Sequence, residues 1–331
     1  MDHTRTFDRK ANAGLYIHVP FCRSKCAYCD FYSVTDLSGA QEWYEALLAE
    51  MTLRGDFAAA FDTVYIGGGT PSCLPSGLLP HLLERIRAAL PVSADAEITM
   101  EVNPGDVDSD TLARLREAGF NRVSIGVQSF DDGILSFLGR RHGGREGFDA
   151  IVAARRAGFT NLSVDLIYGV PGQSLALWRR TLETALRFEP EHLSCYELTI
   201  EGGTPLHRRV EAGQAPAPPA EEEAYRFFSA TSVFLEANGY LHYEVSNFAL
   251  GEACISRHNH KYWDHAPYLG LGPAAHSFRT DRRWWNHRSV DRYIRDIRQG
   301  RIPVEGQEEL SLEQLRMEAL YFGFRTRRGI D

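Results

Sequence analysis

Residues 16–31 read YIHVPFCRSKCAYCDF, in which a short apolar stretch runs directly into three cysteines. The run Leu15–Val19 contains β-branched residues, so we predict a strand with the cysteine loop at its carboxyl end. Proteins of the α/β class place their active sites at that end of their parallel strands. This segment therefore predicts an α/β fold that presents Cys22, Cys26 and Cys29 at its functional edge.

The spacing Cys22-x3-Cys26-x2-Cys29 indicates a metal or cluster site. Thiolates are the preferred ligands of iron–sulfur clusters, and three cysteines on a four-iron cluster leave one iron open for chemistry. The alternative is a zinc knuckle on Cys26 and Cys29, which would need a second pair of ligands. The remaining cysteines are solitary in the sequence: Cys73, Cys195 and Cys254.

The composition narrows the class of protein. The net charge is −8, so there is no basic excess and we expect no nucleic-acid partner. No apolar run approaches the roughly 20 residues that span a bilayer, and residues 1–21 lack the apolar segment of a signal peptide. We therefore expect a cytoplasmic protein with at most peripheral membrane contact, in which the cysteines do not form disulfides.

Predicted strands and helices alternate about six times, which predicts parallel strands with right-handed crossovers. Such a rhythm fits an open doubly wound sheet or a barrel that is partly closed. The predicted strands are Leu15–Val19, Thr63–Ile66, Glu97–Asn103, Arg122–Gln128, Leu162–Tyr168 and Leu193–Thr199. The predicted helices are Ala40–Arg54, Ser76–Leu90, Ser109–Ala118, Arg145–Ala157 and Ser174–Phe188.

The rhythm breaks at residues 201–219, which are rich in glycine and proline and are predicted to be a linker. A helix is predicted from Pro219 to Gly239, and two more at Val290–Gln299 and Leu312–Tyr321. We therefore divide the chain into a barrel domain, residues 1–200, and an α+β extension, residues 201–331.

Polar residues and glycines follow the predicted strands. Residues 63–71 read TVYIGGGTP, and glycines directly after a strand permit close approach of a ligand to the backbone. Glu101, Gln128 and Asp165 lie at or near the ends of the third, fourth and fifth strands, where burial without a partner is costly. For each residue the alternative is a structural hydrogen bond to a neighbouring loop, but three at successive strand ends favour a shared ligand.

The cysteine spacing, with an aromatic residue before the last cysteine, resembles the radical S-adenosylmethionine (SAM) superfamily. In that family the open iron chelates the amino and carboxylate groups of SAM, and an electron from the cluster cleaves the sulfonium to a 5′-deoxyadenosyl radical. The resemblance implies a partial, TIM-like (β/α)6 barrel, a [4Fe–4S] cluster on the three cysteines, bound SAM and a reduced electron donor such as flavodoxin.

From Tyr16 to its last residues the chain resembles the coproporphyrinogen dehydrogenase-like branch of that superfamily. This branch contains the oxygen-independent coproporphyrinogen III dehydrogenase and the HemW-type heme chaperones. Carried over by matching position, Tyr16, Gly68 and Glu101 would contact the cluster-bound SAM. The positions that match residues around a second SAM in the dehydrogenase are Tyr28, Gly69, Thr70, Gln128, Arg140 and Asp165.

Two departures favour the heme chaperones within this branch. The dehydrogenase carries a fourth cysteine two residues after the third, where this chain has Phe31, and a long segment before its cluster, where this chain has 21 residues before Cys22. The expected function is heme delivery to an acceptor such as a respiratory enzyme. Porphyrinogen oxidation and a radical SAM reaction on an unrelated substrate stay open. Because family members continue into a small C-terminal domain, the resemblance implies a truncated chain.

Residues 257–263 read RHNHKYW, and an imidazole beside flat aromatic side chains suits a heme. The segment resembles the His-Asn-x-x-Tyr-Trp motif of the heme chaperones. The resemblance implies heme contacts from His258, Asn259, Tyr262 and Trp263. The alternative is an aromatic loop packed on the barrel mouth, and the rival heme ligands are His260, His265 and His276. We expect this heme site to be independent of the SAM site, because the predicted SAM ligands lie on other strands.

Overall fold

The computed structural model describes residues 12–330, in which twelve strands form one sheet. The strands are β1 (Ala13–Val19), β2 (Phe61–Gly68), β3 (Val92–Val102), β4 (Arg122–Gln128), β5 (Leu162–Tyr168), β6 (His192–Glu197), β7 (Leu241–Glu244), β8 (Asn247–Ala249), β9 (Tyr268–Leu271), β10 (His276–Arg279), β11 (Arg282–Asn286) and β12 (Val304–Glu309). The α-helices are α1 (Ala40–Leu53), α2 (Leu78–Ala89), α3 (Ser109–Ala118), α4 (Asp132–Leu138), α5 (Gly144–Arg156), α6 (Leu175–Leu186), α7 (Pro205–Glu211), α8 (Glu221–Ala237), α9 (Arg257–Trp263), α10 (Val290–Arg298) and α11 (Leu312–Arg325).

The strand order identifies the fold. Strands β1 to β6 are parallel and neighbour one another in chain order. A doubly wound sheet would reverse this order at a switch point, so the consecutive order confirms the predicted partial barrel. Strand β9 adds a further parallel strand beside β1, and β10, β11 and β12 continue the sheet in antiparallel fashion. Strands β8 and β7 extend the other edge, next to β6.

Successive side chains along the barrel strands point to opposite faces of the sheet. The outward residues are apolar and pack against the helices, as Leu15 and Ile17 do in the layer that contains Trp43 of α1. The inward residues are largely polar, and they contact one another across the barrel. The inward residues that line the candidate site are Tyr16, Thr63, Tyr65, Glu97, Glu101, Arg122, Ser124 and Asp165. The apolar core is therefore the layer between the strands and the helices, and the lumen is polar.

The predicted barrel elements are confirmed, with exact bounds for β4, β5 and α3. The linker prediction was wrong for Pro205–Glu211, which forms α7. There the side chain of Thr204 accepts from the backbone N–H of His207, and Pro205 occupies the first turn. A capping threonine followed by proline starts a helix even in a segment rich in glycine and proline.

A buried carboxylate joins the barrel to the segment after residue 200. Glu50 of α1 accepts hydrogen bonds from Gly272 N at 2.8 Å, Asn286 Nδ2 at 2.7 Å and Tyr293 OH at 2.7 Å. Burial raises the pKa of Glu50 to about 7, against the effect of these donors. The strands after residue 200 continue the barrel sheet, and the division of the chain into two domains stays a prediction.

The helices between residues 12 and 330 include none that is long and apolar enough to cross a membrane.

We predict that Glu50→Ala lowers the free energy of unfolding by at least about 3 kcal/mol, because it leaves three buried donors without an acceptor. Glu50→Gln keeps one oxygen that can accept from these donors but cannot ionise, so it isolates the contribution of the carboxyl group's titration. A carboxyl whose pKa is raised on folding stabilises the fold fully below its unfolded value, and loses that contribution as the pH rises through about 7. Urea unfolding at pH 5.5 and pH 8 should therefore show a steeper loss for the wild type than for Glu50→Gln. Parallel pH dependences would contradict this assignment.

Candidate functional site

The cysteine loop leaves the carboxyl end of β1 and carries three free, partly exposed thiols. Thr70 Oγ1 donates to Cys22 Sγ at 3.4 Å, and Arg140 Nη1 donates to Cys26 Sγ at 3.4 Å. Burial raises the pKa of Cys29 to about 11, so a thiolate there requires a bound cation. The loop therefore offers three cysteine ligands, two of which already accept hydrogen bonds suited to a thiolate.

These thiols fit an iron–sulfur cluster, whose ligands are cysteine thiolates. In residues 12–330, no group of three or more His, Cys, Asp and Glu side chains forms a site for a single metal ion. A single zinc ion needs its sulfur ligands about 2.3 Å away, whereas a four-iron cluster distributes its ligands over separate iron atoms. The zinc knuckle that the sequence left open finds no ligand set in this part of the chain.

The glycine loop after β2 is bonded directly to the chain segment that leads into Cys22. Gly69 N donates to Val19 O and Thr70 N donates to Phe21 O, each at 2.7 Å. A Cβ atom on Gly69 would lie 2.5 Å from Phe21 O and 2.7 Å from Val19 O. Both are backbone atoms, which cannot rotate away as a side chain could. The glycine is therefore required for the approach of two chain segments, whatever ligand binds beside them.

The three residues predicted to contact cluster-bound SAM lie in one group. Glu101 accepts from Gly68 N at 3.1 Å and from Tyr65 OH at 2.8 Å. Tyr16 lies beside Tyr65, with ring centroids 6.2 Å apart. Burial raises the pKa of Glu101 to about 7, and burial also raises that of Tyr16. The structure thus places a partly buried carboxylate next to the glycine loop, where it can accept from an ammonium group.

The residues that match the second SAM of the dehydrogenase divide into two sets. Arg140 donates to Gly126 O at 2.8 Å as well as to Cys26, and Tyr28, Gly69 and Thr70 also belong to the contacts of the cysteine loop. Gln128 and Asp165 lie on β4 and β5, and Gln128 is near Arg140, since a Cβ atom on Gly126 would lie 3.0 Å from Gln128 Nε2 and 3.4 Å from Arg140 Nη2. Gln128 has a φ of 64°, an unusual conformation for a residue with a side chain, and such strain concentrates at functional sites.

Asp165 is held by serines on its own and the neighbouring strand. It accepts from Ser124 Oγ at 3.0 Å and from Ser163 Oγ at 3.3 Å. Burial raises its pKa. Asp165 therefore makes structural hydrogen bonds, as the alternative interpretation of the sequence expected, although its partners lie on strands and not in a loop. Its role as a ligand residue stays a prediction.

Arg122 is a site candidate that sequence reasoning missed. It is 1% exposed inside the lumen, and its Nε has no hydrogen-bond partner in the described part of the chain. Its charge lowers the pKa of Glu101 and of Asp165, although burial outweighs this effect in both. An arginine at the first position of a buried parallel strand was the available signal, because a buried guanidinium needs acidic partners.

Helix α9 contains the predicted heme motif and closes the amino-terminal end of the barrel. His258 is 1% exposed, and its ring nitrogens bond Thr63 Oγ1 at 2.8 Å and Tyr262 OH at 3.0 Å. The N–H groups of Arg257 and His258 both donate to the carboxylate of Glu97, each at 3.1 Å. The segment is packed aromatic structure, as the alternative interpretation held, but it lies at the floor of the barrel and not at its mouth.

The other residues of the motif also make internal contacts. Trp263 packs edge-on against Phe322, with ring centroids 5.6 Å apart, and Asn259 N donates to Ser256 Oγ. A heme iron needs a free ring nitrogen, so His258 does not fit as an axial ligand in this conformation. Heme ligation by His258 stays a prediction that requires α9 to leave the barrel floor.

The expected independence of His258 from the SAM site stays a prediction, and the structure shows a chain of contacts that bears on it. The ring of His258 stacks on that of Tyr65, with centroids 5.1 Å apart. Tyr65 in turn donates to Glu101, which accepts from Gly68 of the glycine loop. Distance along the chain concealed this path, because His258 lies 195 residues after its partner Thr63.

Comparison with known proteins identifies the class. Residues 16–185 match the radical SAM superfamily, and the chain belongs to it. Membership implies a [4Fe–4S] cluster and SAM. Within the superfamily the chain falls in the HemW family. It is 38% identical to "Heme chaperone HemW" of Mycobacterium tuberculosis (strain ATCC 25618 / H37Rv) over 96% of this chain and 82% of the relative. It is 37% identical to the Bacillus subtilis protein of that name, over 96% and 84%.

The fold has a solved counterpart. The structure of coproporphyrinogen III oxidase (HemN) from Escherichia coli matches with a TM-score of 0.81 and 24% identity, over 94% of this chain and 74% of that chain. At this level of identity the likeness establishes the fold, and it agrees with the partial barrel described above.

We predict that alanine at Cys22, Cys26 or Cys29 abolishes cluster binding, since each substitution removes one of three thiolate ligands. Bound iron and the broad absorbance near about 400 nm, typical of such clusters, should both be lost after anaerobic reconstitution. Cys254→Ala is the matched control, because Cys254 is a partly exposed thiol outside the loop. Loss of the cluster in Cys254→Ala with retention in Cys26→Ala would overturn the assignment.

We also predict that His258→Ala weakens SAM binding by about tenfold, the lower range for loss of a residue that orients a ligand's partner. The substitution removes the ring on which Tyr65 packs, and Tyr65 orients Glu101. SAM affinity would be measured by the change that SAM causes in the electron paramagnetic resonance spectrum of the reduced cluster. His81→Ala, on the exposed face of α2, is the control. Unchanged SAM affinity in a folded, cluster-containing His258→Ala protein would contradict the hypothesis that His258 supports the SAM site through Tyr65.

Proposed function

We propose that this protein binds heme and delivers it to acceptor proteins, with a [4Fe–4S] cluster and SAM at the mouth of its barrel. The observation that carries the proposal is 36–38% identity to several curated heme chaperones over nearly the whole chain. Phe31, where the dehydrogenase of this branch would have its fourth cysteine, is 68% exposed beside the loop and supports the same choice.

Each group at the mouth has a separate task in this proposal. Cys22, Cys26 and Cys29 hold the cluster, and Thr70 and Arg140 stabilise the thiolates through their hydrogen bonds. When bound, the cluster supplies an open iron that chelates SAM and an electron that can be passed to it. Glu101 accepts from the ammonium group of SAM.

One SAM suffices for this arrangement. Four of the residues that match the second SAM site of the dehydrogenase support the cysteine loop, namely Tyr28, Gly69, Thr70 and Arg140. We therefore assign these four residues to the support of the loop, and Gln128 and Asp165 stay available to a ligand in the lumen. The partners in this proposal are heme, a heme-dependent acceptor such as a respiratory enzyme, and a reduced donor such as flavodoxin.

We predict that the reconstituted protein binds ferric heme with one-to-one stoichiometry and transfers it to an apo-acceptor. Transfer to an apo-respiratory enzyme would be followed by recovery of the acceptor's heme spectrum, with and without SAM. The same titration and transfer assay on the Cys26→Ala protein, which should lack the cluster, shows whether heme binding or transfer requires the cluster.

The same preparation tests the competing activity. With SAM, reductant and coproporphyrinogen III, we expect no formation of protoporphyrinogen IX. Turnover of coproporphyrinogen III would assign the protein to the dehydrogenase, and the absence of stoichiometric heme binding would refute the chaperone function.

A further inference from the structure

The described histidines differ in whether an iron could reach them. Between residues 12 and 330 only His81 and His276 are exposed, and His81 bonds Tyr44 OH at 2.8 Å. The rivals His260 and His265 are less exposed and have acidic partners, Asp264 at 3.5 Å and Glu318 at 3.0 Å. The side chain of His276 makes no hydrogen bond within the described residues. Among the histidines that the structure describes, His276 is therefore the one most open to an external ligand.

His276 lies at the cluster end of the barrel. Strand β9 runs parallel to β1, and residues 272–275 turn the chain back into β10 at the carboxyl ends of both strands. This turn touches β1 directly, since a Cβ atom on Gly272 would lie 2.5 Å from His18 O. Ala274 N in this turn donates to His287 O at 2.9 Å, so Arg288 directly follows a residue bonded to the turn that leads into His276.

An indole ring lies next to His276 in a fixed orientation. Trp285 pairs with His276 across β10 and β11, and the two rings stack with centroids 5.8 Å apart at 25°. The indole also covers Gly306 of β12, where a Cβ atom would lie 2.4 Å from the ring. Glycine at that position lets the indole lie flat on the strand, which presents an aromatic surface beside the imidazole.

A cation and an apolar side chain complete this surface. Arg288 is 57% exposed, donates to Asp30 O at 3.1 Å and lies 3.9 Å from the Asp30 carboxylate. Phe31, the next residue of the cysteine loop, is 68% exposed. Arg283, by contrast, is occupied by two carboxylates, those of Glu308 and Glu318. Arg288 is thus the guanidinium here with capacity for a further anion.

We propose that His276, Trp285, Arg288 and Phe31 form a heme-docking surface at the edge of the barrel mouth. A ring nitrogen of His276 coordinates the iron, the aromatic side chains pack against the porphyrin, and Arg288 pairs with a propionate. The proposal rests on the heme-chaperone function and places the heme beside the cluster, not on α9. An imidazole, an apolar surface and a guanidinium match the three chemical parts of a heme.

The test is a titration of ferric heme into the full chain with its cluster intact. Optical difference spectra and electron paramagnetic resonance report the axial ligand. His276→Ala should weaken heme binding at least about tenfold, because losing even a group that supports a metal ligand typically costs about 10- to 100-fold, and it should remove the imidazole signature. His276→Met should replace it with a thioether signature, an exchange that a merely structural residue would not produce. His81→Ala is the matched control and should leave affinity and spectrum unchanged.

A second pair of measurements tests Arg288 and Trp285. Arg288→Glu should weaken the binding of heme but not of heme dimethyl ester, which lacks the propionate charges. Trp285→Leu should weaken binding and keep the imidazole signature.

The outcomes separate the two proposals. One-to-one binding by the wild type with an unchanged spectrum and affinity in both His276 variants overturns this surface and leaves the chaperone function standing. Loss of the imidazole signature in His258→Ala, with retention in His276→Ala, would move the ligand to α9. Absence of stoichiometric binding by the wild type overturns the surface and the function together.

Discussion

The backbone of Gly69 lies against the carbonyl oxygens of Val19 and Phe21, and the candidate site depends on this contact. It joins the end of β2 to the start of the cysteine loop without any side chain between them. The hydroxyl of Thr70 consequently reaches Cys22, and the N–H of Gly68 reaches Glu101. A methyl group on Gly69 would push the glycine loop away from the segment that leads into Cys22. The cysteine thiols would then move away from the carboxylate of Glu101.

The polar lumen follows from the same architecture. Side chains of successive strand residues point to opposite faces, so the apolar residues pack against the helices and the polar residues point into the lumen. Burial there penalises the charged form of a carboxyl group. Glu101 and Asp165 therefore have raised pKa values, and Arg122 faces them as a buried cation. Polar groups in the lumen can still donate to or accept from a ligand, whereas apolar side chains in a lumen of the same size would pack against one another and offer no such contacts.

The barrel could be predicted from the sequence because each strand is a short β-branched run followed by a helix of ordinary length, and β4, β5 and α3 matched to the residue. The sequence could single out the cysteine loop as a cluster site from its spacing, and Glu101 as a ligand candidate because a buried carboxyl group without a partner is costly. Strand β9 was missed because four residues, two of them leucines, carry too little periodicity. The burial of His258 was inaccessible to sequence reasoning, since it depends on Thr63 and Tyr65, which are remote along the chain.

The hydrogen bond between Arg288 and Asp30 couples the segment before α10 to the cysteine loop. The guanidinium belongs to the segment between β11 and α10, and its acceptor lies one residue after Cys29. A ligand that orders either partner alters the free energy of the other, and thermodynamic linkage makes that influence equal in both directions. This hydrogen bond therefore links the occupancy of the cysteine loop to the order of the segment between β11 and α10.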